Sequence, residues 1–247
     1  MSDAETLPPE ERRPLQLLRS NPLSNLWLLF SHGQALRRLS LARLFFTIAQ
    51  TNNATIIGSF RLGPLGFSPM DLSKYLQFTS PVHGLLQGNC IGPITAYLGA
   101  RRAGAVGTLV KALGFTLWGC AWLVPGLYPR MVYYGVVQAL TINTWSMMAE
   151  LSTSTRLMKT GIEQTPYGKG ELSAALSGLS LLVSVALPPL SGRLYSWFTQ
   201  PGGPAALPAA LRGVGPTGSY VVSSLLCVLS WAALRSVRDE DSEGAEC

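Results

Sequence analysis

Six apolar runs follow one another along most of this 247-residue chain, separated by short stretches rich in Gly, Pro or charge. A helix needs about 20 residues to cross a bilayer core of about 30 Å, and each run is close to or above that length. The runs cover residues 39–60, 72–98, 103–124, 131–148, 171–198 and 219–234. This pattern predicts an all-α integral membrane bundle of six transmembrane helices over residues 39–234.

The clearest boundary between two runs is the stretch 83–102, HGLLQGNCIGPITAYLGARR. An apolar helix leads into a glycine-framed turn and two arginines, and a further apolar run begins at once. We expect Gly92 and Gly99 to allow close backbone approach and positive φ. Arg101 and Arg102 are expected to stay in the cytoplasm, as loop arginines do. A soluble helical hairpin is the alternative, but the further apolar runs argue against it.

The flanking segments and the charge distribution predict the topology. Residues 1–38 are expected to form a cytoplasmic tail with an interfacial amphipathic segment, although a plain linker also fits, and residues 235–247 an acidic cytoplasmic tail. With six spans both ends share one side, and that side collects twelve Lys and Arg residues, against five on the other. The twelve are Arg12, Arg13, Arg19, Arg37, Arg38, Arg101, Arg102, Arg156, Lys159, Lys169, Arg235 and Arg238. The five are Arg61, Lys74, Arg130, Arg193 and Arg212. Both termini are therefore predicted to be cytoplasmic; which membrane holds the protein is left open.

Composition narrows the function classes. Charged residues make up 13% of the chain, about half the usual share, so the net charge of +6 is attributed to topology and no nucleic-acid partner is expected. The four cysteines form no Cys-x-x-Cys motif, and we expect no metal and no cofactor. An intramembrane serine protease is disfavoured because both histidines precede every Ser-Gly pair, so no enzyme activity and no catalytic residue is predicted.

Polar residues inside the spans are the candidates for a substrate pathway. Gln50 and Asn53 share one face of the first span, either to bind substrate or to join helices. Gln138, Thr141 and Trp145 share a face of the fourth span, as a second cavity wall or as a packing stripe.

A stripe of serines follows one face of the fifth span, at intervals of four, three and four residues: Ser173, Ser177, Ser180 and Ser184. Small residues at this spacing let helix backbones approach, so we predict a packing seam first and a substrate wall second.

Two ionisable residues inside spans are candidates for a proton or charge role. Lys111 lies well inside the third span, and a charged residue at such a position suggests a functional role. Alternatively, its side chain could extend toward the arginine turn. His83 lies in the second span. It is either a histidine packed in the core or a proton carrier.

Residues 66–115 resemble the major facilitator superfamily, and within it the tetracycline-resistance type of drug:proton antiporter. The cytoplasmic loop motif is carried by Gly92, Pro93, Gly99, Arg101 and Arg102, and His83 also falls at a family position. Residues 170–198 are similar to the family's eleventh helix, and the resemblance covers about residues 21–234, always to the C-terminal half. The chain departs from the family at three places, which hold Ala96, Tyr97 and Ala112.

The resemblance implies half of a twelve-helix fold built from a 3+3 repeat, and secondary transport of a small molecule by alternating access. Such a half-transporter would need a second six-helix half, either a copy of itself or a separate chain, in the lipid bilayer. Proton coupling would pass through His83. The alternative is a truncated, non-transporting membrane protein or an assembly subunit of another transporter.

Overall fold

The computed structural model describes residues 22–165, 168–200 and 215–237, and these residues form helices and no strand. The α-helices in this part of the chain are α1 (Pro22–Ser31), α2 (Gln34–Leu62), α3 (Pro69–Gly119), α4 (Leu127–Val137), α5 (Thr144–Gln164), α6 (Lys169–Thr199) and α7 (Gly218–Arg235). A π-helical segment, Gln138–Asn143, joins α4 to α5. The predicted all-α fold class is confirmed for the described residues.

Three helical stretches among the described residues are long and apolar enough to cross a membrane: Arg101–Leu123, Lys169–Thr199 and Gly215–Arg235. They coincide with the predicted third, fifth and sixth spans, and they fit a membrane protein. The other three predicted spans are also helical, but polar residues such as Gln50, Thr51 and Asn52 interrupt their apolar character.

Helix α3 starts at a capping box and is interrupted once. The Ser68 hydroxyl accepts from the backbone N–H of Asp71, and the Asp71 carboxylate accepts from the backbone N–H and hydroxyl of Ser68. The hydrogen bond from Ser68 holds the pKa of the Asp71 carboxyl below its ordinary value. The interruption is at Gly99, which has φ of 72°. Gly92 lies inside the helix without positive φ, so the prediction for that glycine was wrong.

The second half of α3, which follows the break at Gly99, lies at the centre of the bundle and packs against α5 and α7. Helix α2 packs against α6 and α7. One core cluster contains Phe60, Trp118, Tyr134 and Tyr220, all fully or almost fully buried. The first half of α3 is different, because large side chains such as Tyr97, which is 90% exposed, point away from the other helices.

The polar stretch between the predicted fourth and fifth spans, residues 152–169, is expected from its sequence to be a loop. It is helical as far as Gln164, so that expectation was wrong. The helix continues because it has an apolar face to bury: Leu157 is fully buried, and Gly161 packs against Leu172 of α6.

The predicted tails lie largely outside the described residues, which leave out 1–21 and 238–247. Within the N-terminal tail, α1 packs against α6. It buries Leu29 and leaves Trp27 73% exposed. Its placement at a membrane interface stays a prediction.

Candidate functional site

Polar side chains from three helices meet around the ammonium group of Lys111. Lys111 Nζ donates to Ser146 Oγ over 2.7 Å, and Gln50 Nε2 donates to the same oxygen over 3.0 Å. One turn along α5 from Ser146, Glu150 accepts a hydrogen bond of 2.7 Å from Arg43 Nη2, which is also an ion pair. We call these five residues the lysine cluster. Two of them, Gln50 and Lys111, are predicted site residues that the fold brings together.

Lys111 is enclosed almost completely, with 1% of its surface exposed. Its Nζ atom lies 4.1 Å from the ring centroid of Phe46 and 5.4 Å from that of Phe115. Ring faces attract a cation, so these two side chains favour the protonated amine. They do not supply a counter-charge, and Lys111 has no ion pair with a carboxylate among the described residues.

The lysine cluster therefore contains more positive than negative charge. In their protonated forms Arg43 and Lys111 carry two positive charges, whereas Glu150 is the one carboxylate of the cluster and is already paired with Arg43. The Nε and Nη1 atoms of Arg43 are buried and have no hydrogen-bond partner. A buried guanidinium normally has its donors accepted, so the cluster has spare donors as well as excess charge.

Replacing Glu150 with glutamine is expected to destabilise the protein because Arg43 is then left without a counter-charge. Breaking a buried pair costs about 3–5 kcal/mol, and since the Glu150 side chain is 39% exposed, we expect roughly 1–3 kcal/mol after allowance for solvent screening. Thermal unfolding followed by circular dichroism measures the loss. The matched control is Glu163→Gln, at an exposed position on the same helix. An unchanged midpoint for Glu150→Gln would show that the pair is not needed.

A second polar cluster surrounds Arg61 at the other end of α2. Arg61 Nε donates to the hydroxyl of Tyr134 over 3.2 Å, and Nη2 donates to Gln138 Oε1 over 3.5 Å. The Tyr75 hydroxyl donates to the same oxygen of Gln138. The guanidinium carbon lies 5.2 Å and 5.3 Å from the ring centroids of Tyr75 and Tyr134. Gln138 thus orders a buried arginine rather than lying beside Gln50.

His83 lines a groove between α3 and α4. Its Nδ1 atom is 2.7 Å from Asn143 Nδ2 of the π-helical segment, and its Nε2 atom is buried with no partner. The groove has a volume of about 520 Å³. Apolar side chains such as Phe78, Met131 and Val132 make up most of its lining, and Lys74, Tyr75, Thr79 and Tyr128 also line it. A volume of this size is typical of small-molecule pockets.

The other predicted pathway residues lie outside these clusters. Asn53 is half-buried on α2, and its Oδ1 atom has no partner. Thr141 donates to the carbonyl of Val137 in its own helix, and Trp145 is half-buried on α5. Asn52, which was not predicted, donates to Ser219 O and Ser223 Oγ of α7 and joins two helices.

The predicted loop motif is divided by the break at Gly99. Gly92 and Pro93 lie inside α3, and an added Cβ at Gly92 would touch nothing within 4 Å. Arg101 and Arg102 follow the break and are exposed. Both arginines therefore lie where they could hold this end of the helix in the cytoplasm.

Several residues of the two clusters were missed by sequence reasoning. Arg61 was counted only as an extramembrane charge, and Ser146 and Tyr134 carried no signal that separates them from packing residues. Glu150 did have a signal, since it is the first acid after Asp71 in the sequence. In the described ranges no group of three or more His, Cys, Asp or Glu side chains could hold a metal ion.

No protein-family model, no curated protein and no solved structure matches the chain.

Proposed function

We propose that this chain is a six-helix membrane domain that forms one half of a secondary transporter for a small molecule, of the kind found in the major facilitator superfamily. The lysine cluster carries the proposal. Transport sites lie near the bilayer midplane, where helices expose polar groups to one another. Lys111 follows Arg101 by ten residues, about 15 Å along a helix, which is half of a bilayer core of about 30 Å.

The same depth is reached from a second helix. Gln50 follows residue 39, where the first span is predicted to begin, by eleven residues, or about 16 Å. Its hydrogen bond to Ser146 brings α2 and α5 to one point with Lys111 of α3. Intramembrane ionisable groups are costly and are typically kept for function, so we assign the pathway to this point.

We extend the three apolar stretches to six crossings by counting α2, the first half of α3, and α4 with α5 as spans. Polar residues of α2, α4 and α5 face one another in the two clusters, so the low average hydropathy of these segments does not require the charges of Arg43 and Arg61 to meet lipid. An even number of crossings places both termini on one side, and the excess of Lys and Arg makes that side the cytoplasm.

The requirement for a second half is supported by the faces that the described helices leave uncovered. The buried face of α6 is apolar, with Leu172, Leu179 and Val183. Three of the four serines of the predicted seam are exposed, and Ser180 is half-buried. A face with three exposed serines that packs against none of the described helices is suited to a second six-helix half, either another copy or a separate chain.

The proposal is tested by reconstituting the full chain in vesicles. Radiolabelled formate, choline, glycine and glucose, with and without a pH gradient, represent the charge classes of small solutes. We expect saturable uptake of one class and a chemically crosslinked species larger than a monomer. Single cysteines near the two ends, in a cysteine-free background, should react from the same side.

Three results together would favour the non-transporting alternative: no saturable uptake, a monomer after crosslinking, and normal membrane insertion. Termini that react from opposite sides would overturn the six-span topology.

A further inference from the structure

We propose that the lysine cluster is a binding site for one compact monovalent anion, of the size of chloride or formate. The first reason is charge. Arg43 and Lys111 face a single carboxylate, Glu150, and the other groups around the ammonium, the side chains of Phe46, Gln50, Phe115 and Ser146 and the thiol of Cys227, carry no counter-charge. One bound anion would bring the site to neutrality.

The second reason is the set of donors without acceptors. Arg43 is 9% exposed, and its buried Nε and Nη1 groups have no partner. Lys111 has three N–H donors, and Ser146 is its one acceptor among the described residues. A buried N–H donor without a hydrogen-bond acceptor costs free energy, so an anion from solution that supplies acceptor atoms would be bound favourably. Fixed N–H donors from a guanidinium and an ammonium are the usual chemistry of anion recognition.

The size and charge of the ligand follow from the surroundings. The lysine cluster has one positive charge in excess. A monovalent anion would make the net charge of the cluster zero, whereas a dianion would make it negative. The rings of Phe46 and Phe115 and the almost complete burial of Lys111 leave little room for a bulky body. Chloride and formate meet both conditions, and gluconate does not.

This assignment deepens the proposed function by naming the chemical class of a substrate or co-transported ion, and it rests on that function for its role in transport. Binding itself is measured without transport. Anion binding without solute uptake would support the anion site and contradict the proposed transport. Solute uptake that does not depend on the anion would support transport and contradict the anion site.

The experiment uses the full chain in nanodiscs of phosphatidylcholine, which adds no anionic headgroup. Unfolding is followed by circular dichroism at constant ionic strength while sodium gluconate is replaced by sodium chloride. We expect the midpoint to rise and saturate, by roughly 2–4 °C at about five times Kd. Retention of radiolabelled chloride on the folded protein, and its displacement by formate, measures binding directly.

Arg43→Gln and Lys111→Met should each remove the chloride-dependent shift and the retained label. Arg37→Gln is the matched control, because Arg37 is an exposed arginine on the same helix, and it should behave as wild type. Should Arg43→Gln fail to fold, direct chloride binding by wild type and by Lys111→Met decides. Equal thermal midpoints in chloride and gluconate, together with no chloride retained by wild type, would contradict the anion site. The Lys111 amine would then be neutral, and the cluster would need no further negative charge.

Discussion

Lys111→Met is expected to reduce solute uptake strongly while leaving the protein at least as stable as wild type. Lys111 is fully enclosed and has no carboxylate partner. A charge at the centre of a spanning helix costs about 2.5–3.5 kcal/mol on insertion scales. Replacing buried charged groups with hydrophobic residues of similar volume is often neutral or stabilising by about 1–4 kcal/mol. We expect uptake to fall at least about tenfold, which is about 1.4 kcal/mol of activation free energy.

Uptake in vesicles and the thermal midpoint in detergent are measured on the same preparations. Lys159→Met is the matched control, because Lys159 is an exposed lysine on α5, and both its uptake and its midpoint should stay close to wild type. The combination of lost uptake and retained stability separates a functional residue from a structural one. A Lys111→Met protein that loses stability and keeps its uptake per folded molecule would contradict the role assigned to Lys111.

Gly107→Ala is expected to destabilise the bundle by about 1–3 kcal/mol, the usual cost of overpacking. A Cβ at this position would lie 2.8 Å from the backbone oxygen of Trp145 and 3.2 Å from the Cβ of Ala149. Both atoms belong to α5, and a backbone oxygen cannot move aside as the end of a side chain can. Helices α3 and α5 must therefore separate, which also draws Lys111 away from Ser146.

Gly88→Ala is the control for this change. Gly88 lies in the same helix, and an added Cβ there would meet nothing within 4 Å. Because alanine is favoured over glycine in helices by up to about 1 kcal/mol, Gly88→Ala should be neutral or slightly stabilising. Equal midpoints for the two variants in a thermal melt would show that the close approach of α3 and α5 is not needed for stability.

The helical segments of this protein could be recognised from sequence because the signals are local. Runs of apolar residues and a glycine before two arginines each depend on a few neighbouring residues. The helical extension of α5 to Gln164 was missed because its apolar face, with Leu157, is narrow and is buried by contacts with other helices.

The candidate site was recognised only in part. Lys111 and Gln50 were found because polar residues stand out in apolar surroundings. Their common partner Ser146 was not, since a serine in a spanning helix is common and carries no distinguishing pattern. Gln138 was placed on a shared cavity wall with Thr141, but the π-helical turn and Arg61 draw it into a separate cluster.

The amino-acid pattern alone determines that this chain is helical, that its helices are apolar enough in several places to enter a bilayer, and that few charges lie within them. Only the tertiary structure decides which of those charges meet. Arg43 and Glu150 are 107 positions apart, Gln50 and Ser146 are 96 apart, and Lys111 and Ser146 are 35 apart. The relative rotation and depth of packed helices set these contacts, because the apolar surface that drives burial is non-directional and does not select one polar partner over another.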